Sequence, residues 1–160
     1  MGKILDLMKY GLRWGTPLPR RPTSSYLEWT LLRDTLQAYA IDCVLDVGAN
    51  VGQFAHNLRR VGYQGHICSF EPIEEAYAVM ADSFRNDARW TGYNYALGSE
   101  NTQRTFHIIV ESMVMSSFLQ HNDSGATTRE VTVQLKRLDG VYDDVIAATG
   151  LQHPRRVFLT

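Results

Sequence analysis

Val44-Leu45-Asp46-Val47-Gly48-Ala49-Asn50-Val51-Gly52-Gln53-Phe54 decides the fold of this chain. The apolar residues at its start are typical of a buried strand, and they pass through an acidic residue into a turn with two glycines. Helical spacing of apolar residues begins directly after the turn. Because the first N–H groups of a helix have no partner within the helix, such a turn can hold an anionic group. The stretch therefore predicts half of a cofactor-binding α/β fold.

A second apolar strand, Ile67-Cys68-Ser69-Phe70, ends at Glu71, nineteen residues after Gly52. In nucleotide-binding α/β folds, an acidic residue at about this distance accepts hydrogen bonds from the ribose hydroxyls. Glu71 is therefore predicted to bind a ribose.

The remaining pattern extends this unit into a larger sheet. Strands and helices alternate up to residue 98, which predicts a parallel sheet with right-handed crossovers. Period-two alternation then appears twice without an intervening helix, which predicts an antiparallel insertion. The last residues resemble the first half of another buried strand. The predicted helices cover about residues 26–40, 51–60, 72–85 and 138–148, and the predicted strands cover residues 43–47, 66–70, 90–96, 104–110, 130–138 and 156–160.

Composition indicates a soluble globular protein. The chain has 160 residues, of which 44% are hydrophobic and 21% charged, and its formal net charge is -1. One domain is expected at this size, and the charge gives no general attraction to nucleic acid. No apolar run reaches the ~18 residues of a membrane span, and no signal peptide is visible, so we expect a cytoplasmic protein without membrane insertion.

The N-terminal 25 residues are expected to form a segment and linker ahead of a domain that covers residues 26–160. Three prolines lie in residues 16–25, and Ser25-Tyr26-Leu27-Glu28 has the spacing of a capping box, so a helix should begin near Tyr26. Cys43 and Cys68 fall on predicted strands, which favours reduced core thiols over a disulfide.

The residues of the turn bear on which cofactor binds. A nicotinamide dinucleotide site prefers Gly-x-Gly-x-x-Gly, whereas this chain has Gly48-Ala49-Asn50-Val51-Gly52. Asp46 would repel a pyrophosphate but attract an ammonium group. S-adenosylmethionine carries an ammonium, a carboxylate and a sulfonium, and it has no phosphate. The turn favours this cofactor, and an NAD-binding oxidoreductase remains the less favoured alternative.

Three motifs together resemble the FkbM family of methyltransferases: Leu45-Asp46-Val47-Gly48-Ala49-Asn50-Val51-Gly52, Ser69-Phe70-Glu71-Pro72 and Asn94-Tyr95-Ala96-Leu97-Gly98. Ser116-Ser117 and Leu138-Asp139 also match family features. The resemblance implies a Rossmann-like class I methyltransferase fold and a methyl group donated by S-adenosylmethionine to a hydroxyl of a saccharide, glycolipid or natural product. The expected cofactor-binding residues are Asp46, Gly48, Ala49, Asn50, Gly52, Glu71, Pro72, Asn94 and Ala96.

The C-terminus departs from the family pattern. Family members continue after Val157-Phe158-Leu159 with a Lys and an Asp-x-Gln-Gly-like segment, whereas this sequence stops at Thr160. We therefore expect a truncated methyltransferase whose unfinished sheet edge favours self-association. A non-catalytic remnant is an alternative to an active enzyme.

No catalytic base and no metal site are predicted. The five histidines are scattered and fit no motif: His56, His66, His107, His121 and His153. His56 and His66 are expected to be structural or exposed. Asp143 and Asp144 are neighbours on a predicted helix, so their side chains point apart and should be solvated.

Overall fold

The computed structural model of the chain describes residues 20–109, 116–117, 128–151 and 156–160. Residues 1–19 of the N-terminal segment, His121 and His153 lie outside these residues. The described helices are α1 (Arg20–Ala38), α2 (Gln53–Arg60), α3 (Glu74–Phe84) and α4 (Leu138–Ala148). The described strands are β1 (Cys43–Val47), β2 (His66–Phe70), β3 (Trp90–Tyr93), β4 (Ala96–Gly98), β5 (Thr102–Ile109), β6 (Ser116–Ser117), β7 (Thr128–Arg137) and β8 (Val157–Leu159).

The first sheet has the order β3-β2-β1-β8, and all its strand pairs are parallel. Helices α2 and α3 connect β1 to β2 and β2 to β3, so the alternating pattern of the sequence is confirmed. The register places Asp46 beside Ser69 at the carboxyl end of the sheet. Parallel strands end at one edge, and ligands of such sheets bind there. The expected self-association stays a prediction.

The second sheet has the order β4-β7-β5-β6. Strands β5 and β7 pair antiparallel from Thr102↔Leu135 to Ile109↔Thr128, which confirms the predicted insertion. The single strand predicted over residues 90–96 is wrong, because β3 ends at Tyr93 and β4 pairs with β7 in this second sheet. At the break, the side-chain amide of Asn94 donates a hydrogen bond to the backbone carbonyl of Glu71 at 2.9 Å. This bond satisfies the carbonyl where the chain leaves the first sheet.

Helix α1 begins at Arg20, so the predicted start near Tyr26 is wrong. The expected boundary between residues 25 and 26 falls inside this helix. Pro22 lies in the first turn, where the N–H that proline lacks would have had no helical partner, so this proline does not require a linker up to residue 25. None of the described helices has the length and apolar character needed to cross a membrane.

Two apolar layers enclose the first sheet. Val44 packs with α1, α2 and α3, whereas Leu45 packs with α4 on the opposite face. This alternation follows from the period of two along a strand, and burial on both faces explains the continuous apolar run of β1. Cys43 and Cys68 are free and fully buried, as expected for core thiols.

Gly52 lies where α2 approaches α3. It caps the N-terminus of α2 with a φ of 86°. A Cβ at this position would lie 2.9 Å from a ring carbon of Phe84 and 3.0 Å from Cγ of Met80. Both the left-handed backbone and the close packing therefore require glycine here.

We predict that Gly52→Ala destabilises the protein more than a glycine substitution that strains the backbone alone. Left-handed strain costs about 1–2 kcal/mol, and overpacking against Phe84 and Met80 adds about 1–3 kcal/mol. Gly150→Ala is the matched control, because Gly150 has a φ of 69° and a Cβ there would meet no atom of the described part of the chain within 4 Å. Urea denaturation measures the free energy of unfolding of both variants and of the wild type. Equal losses of unfolding free energy would contradict the packing argument.

Candidate cofactor-binding site

The glycine turn is fixed by hydrogen bonds from the neighbouring strand. The backbone N–H groups of Gly48 and Ala49 both donate to the carbonyl of Phe70 at 3.0 Å. Gly48 and Asn50 have positive φ values of 74° and 51°. Among the described residues, a Cβ at Gly48 would meet no atom within 4 Å, so this stretch of backbone faces open space there. A ligand can therefore approach the main chain at Gly48.

Glu71 joins the turn to the start of α3. Its side chain is buried, with 4% of the residue exposed. One carboxylate oxygen, Oε2, accepts the N–H of Asn50 at 2.7 Å, and Oε1 accepts the N–H of Ile73 at 2.8 Å. Burial raises the pKa of Glu71, and the two backbone hydrogen bonds oppose this effect. A carboxylate oxygen can accept more than one hydrogen bond, and each oxygen of Glu71 accepts one from the backbone. Glu71 therefore retains acceptor capacity for ribose hydroxyls.

Asp46 is the second buried carboxylate, with 3% of the residue exposed. The Ser69 hydroxyl donates to Oδ2 at 3.3 Å, and the Thr160 hydroxyl lies 3.5 Å from Oδ1. Burial raises the pKa of Asp46 to about 6; the two hydroxyls lower it and the nearby Glu71 raises it. At neutral pH the carboxylate is mostly ionised in a poorly solvated position. It therefore attracts a cation more strongly than an exposed carboxylate would.

The predicted residues occupy the carboxyl edge of the first sheet and its surroundings. Five of them form one group there, joined by hydrogen bonds or by adjacency in the sequence: Asp46, Gly48, Ala49, Asn50 and Glu71. Pro72 follows Glu71 and is half-buried, and Asn94 reaches the same edge through its bond to the Glu71 carbonyl.

Ala96 and Gly52 both pack against other residues of the protein. Ala96 belongs to the second sheet and packs against the cluster that contains Ile73, together with Val51. Gly52 packs against Phe84 and Met80, so its contacts within the protein already require glycine. Cofactor contacts of either residue stay a prediction.

Two polar residues that support Asp46 are missing from the sequence prediction. Ser69 donates to Asp46, and the indole Nε1–H of Trp90 donates to the Ser69 hydroxyl at 3.1 Å. The role of Ser69 is predictable from the sequence, because its hydroxyl lies in the otherwise apolar run 67–70 of β2. It is at the same distance from the strand end as Asp46. Trp90 gave no such signal, since an aromatic residue at the start of a strand usually serves the core.

The described histidines do not meet at this edge. His66 is 6% exposed at the start of β2, where its Nε2 lies 2.9 Å from the Thr91 hydroxyl, and burial lowers its pKa. His56 is exposed and stacks on Phe84 at 4.3 Å between ring centroids. Both placements agree with a structural or exposed role. His107 lies 3.6 Å from Glu130 in the second sheet.

A wide depression of about 770 Å³ lies elsewhere, at the junction of β4 with α4. It shares no residue with the predicted cofactor set. Burial and hydrogen bonding concentrate the chemistry at Asp46 and Glu71, so we place the candidate site there rather than in this depression. The depression is lined by Gly98, Ser99, Arg137, Leu138, Asp139, Tyr142 and Asp143.

Comparison with known proteins bears on this arrangement. The family model described as "Methyltransferase FkbM domain" matches residues 46–154, which is more than half of the chain. The chain belongs to the FkbM methyltransferase family. The match begins at Asp46 and spans the glycine turn, Glu71 and the antiparallel insertion of this FkbM domain. The family resemblance of the sequence is thus confirmed, and the order of the parallel strands agrees with a Rossmann-like fold.

Curated proteins and solved structures add less. No curated protein matches significantly. One similar solved structure is entitled "Crystal structure of a putative caffeoyl-CoA O-methyltransferase from Staphylococcus aureus". It is 13% identical with a TM-score of 0.35, and the match covers 56% of this chain and 42% of that one. The matched region thus spans less than half the length of that protein.

We predict that Asp46→Asn stabilises the apo protein at neutral pH. The pKa of Asp46 rises from about 3.8 to about 6 on folding, so the folded state binds the proton more tightly and loses stability as pH rises between these values. Removing the charge should raise the free energy of unfolding by about 1–3 kcal/mol at pH 7.5. At pH 4 the gain should nearly vanish.

Urea denaturation at pH 4 and pH 7.5 measures this difference. Asp143→Asn is the control, because Asp143 is exposed on α4. An Asp46→Asn variant that is less stable than the wild type at pH 7.5 would show that the charge does not oppose folding.

Proposed function

We propose that this FkbM domain binds S-adenosylmethionine at the carboxyl edge of the first sheet and serves methyl transfer to a hydroxyl group. One observation carries the proposal: two buried carboxylates, Asp46 and Glu71, flank a turn whose backbone is open at Gly48. Family membership supplies the reaction class. Asp46 would attract the ammonium of the cofactor, and Glu71 would accept the ribose hydroxyls. Ala49, Asn50 and Gly52 would shape the turn around it, and Pro72, Asn94 and Ala96 would border the adenine.

The charges of the site favour this cofactor over a dinucleotide. A pyrophosphate carries negative charge, and at the turn it would lie close to both buried carboxylates. The electrostatic repulsion between like charges is strong where water is largely excluded. S-adenosylmethionine instead brings an ammonium and a sulfonium, so its positive charges match the negative edge. The NAD-binding alternative lacks such a match.

Methyl transfer to an alcohol is an in-line displacement. The hydroxyl oxygen forms a bond to the methyl carbon, the carbon–sulfur bond breaks, S-adenosylhomocysteine leaves, and the hydroxyl proton passes to a base. The residues of this edge would contribute by fixing the orientation of the sulfonium relative to the acceptor, which lowers the entropic part of the barrier. We propose a saccharide, glycolipid or natural-product hydroxyl as acceptor, on the basis of the family, and a cytoplasmic reaction.

We predict that S-adenosylhomocysteine binds the wild-type chain and that Glu71→Gln weakens the binding about tenfold or more. The glutamine retains one acceptor oxygen but replaces the other with a donor, which cannot accept the N–H of Asn50 or a ribose hydroxyl. Isothermal titration calorimetry measures the affinities, and thermal unfolding shows whether each variant is folded.

The control for this experiment is Glu130→Gln, because Glu130 is an exposed carboxylate in β7. NAD serves as a competing ligand in the same titration. Binding of NAD without binding of S-adenosylhomocysteine would overturn the cofactor proposal, and a folded Glu71→Gln variant with wild-type affinity would overturn the ribose assignment. If the cofactor binds but radiolabelled methyl reaches none of the three acceptor classes, the proposed acceptors are overturned and the non-catalytic alternative is favoured.

A further inference from the structure

Three side chains on neighbouring strands form a chain of hydrogen bonds that ends at Asp46. Trp90 on β3 donates its indole N–H to the Ser69 hydroxyl on β2 at 3.1 Å. Ser69 donates in turn to Oδ2 of Asp46 on β1 at 3.3 Å. All three residues lie on the face of the sheet that α2 and α3 cover, as the alternation of each strand requires.

The direction of this chain follows from the chemistry of its first member. An indole N–H only donates, so the Ser69 oxygen must accept from Trp90. The hydroxyl hydrogen of Ser69 is then available for Asp46. A serine hydroxyl alone would rotate between partners, but the donor on one side directs its hydrogen toward the carboxylate.

Packing fixes the indole itself. The ring of Trp90 stacks on Phe84 with centroids 5.1 Å apart and an interplanar angle of 17°. On the same strand, a Cβ at Gly92 would lie 2.3 Å from a carbon of this ring, so glycine makes room for it. Trp90 is therefore held against α3 and cannot turn its N–H away from Ser69 without losing these contacts.

We propose that Ser69 and Trp90 are positioning residues of the cofactor site, which orient the Asp46 carboxylate and hold it in its charged form for the cofactor ammonium. The inference rests on the proposed function for the identity of the ligand. The hydrogen-bond chain itself is a property of the protein and can be measured without the cofactor.

The surroundings of Asp46 explain why this support matters. Burial and the charge of Glu71 favour the protonated form of Asp46, whereas the hydroxyls of Ser69 and Thr160 favour the charged form. The pKa of about 6 is close enough to neutrality that a lost hydrogen bond changes the charge. Removing Ser69 should raise this pKa by about 0.4–1 pH unit.

The experiment compares Ser69→Ala, Trp90→Phe and the double variant with the wild-type chain. Thr91→Val is the matched control, because Thr91 is adjacent to Trp90 on β3 and makes a different cross-strand contact, to His66. The first readout is the titration of the Asp46 carboxyl carbon by ¹³C NMR without cofactor, assigned with Asp46→Asn. The second is the affinity for S-adenosylhomocysteine between pH 5.5 and pH 8 by calorimetry.

In Ser69→Ala we expect the Asp46 midpoint to rise and the affinity at pH 6.5 to fall about 1.3-fold to threefold more than at pH 8, depending on where the rise lies between about 0.4 and 1 pH unit. Trp90→Phe should shift the midpoint less but in the same direction. The double variant should match Ser69→Ala, because Trp90 acts through the hydroxyl, whereas independent structural effects would add. Thr91→Val should leave the midpoint unchanged.

Failure of the positioning role and failure of the proposed function give different experimental results. An Asp46 midpoint that is the same in folded Ser69→Ala and wild type would overturn the positioning role, whatever the affinity. A wild-type chain that binds no S-adenosylhomocysteine, with the midpoint shifted as expected, would instead overturn the proposed function and the ligand part of this inference.

Discussion

The site depends on one interaction, the double hydrogen bond of the Glu71 carboxylate. A left-handed residue such as Asn50 is unfavourable on its own, and the N–H of Ile73 would otherwise be buried at the start of α3. Glu71 accepts both donors and so couples the turn after β1 to the loop after β2. The carboxylate thus fixes the main chain at Asn50, two residues after the open backbone of Gly48, and at the start of α3.

Glu71, which we propose as the ribose acceptor, would thus also stabilise the main chain of the site. Glu71 and Asp46 both have raised pKa values, since each is taken out of water. Their charged forms oppose folding, and the hydrogen bonds within the protein offset this cost only in part. A ligand with positive charge or hydroxyl donors would offset more of it. Buried carboxylates that weaken the apo protein are expected where evolution retains them for binding rather than for stability.

The sequence was sufficient for much of this fold because the informative patterns are local. Alternation of apolar residues identified β5 and β7, and helical spacing after Arg137 identified α4. The break between Tyr93 and Ala96 is not visible in the sequence, since both sides favour a strand. It follows from the pairing of β4 with β7 and from the bond of Asn94 to the Glu71 carbonyl, which are contacts with distant parts of the chain. The predicted helix α1 begins too late, because the capping-box pattern at Ser25 lies inside a longer helix. The turn and Glu71 were recognisable from spacing, whereas Trp90 is linked to the site only through the register of three strands.

The two carboxylates differ in how their hydrogen bonds are satisfied, and this difference fits the separate roles that we propose for them. Backbone N–H groups hold Glu71, so no single side-chain substitution elsewhere removes its partners. Asp46 relies on the hydroxyls of Ser69 and Thr160, one of which depends on an indole two strands away. A backbone-held acceptor suits a shape-defining contact such as a ribose, because its geometry is set by the fold. A side-chain-held carboxylate with a pKa near 6 suits the recognition of a cation, because its charge can be adjusted by residues that never touch the ligand.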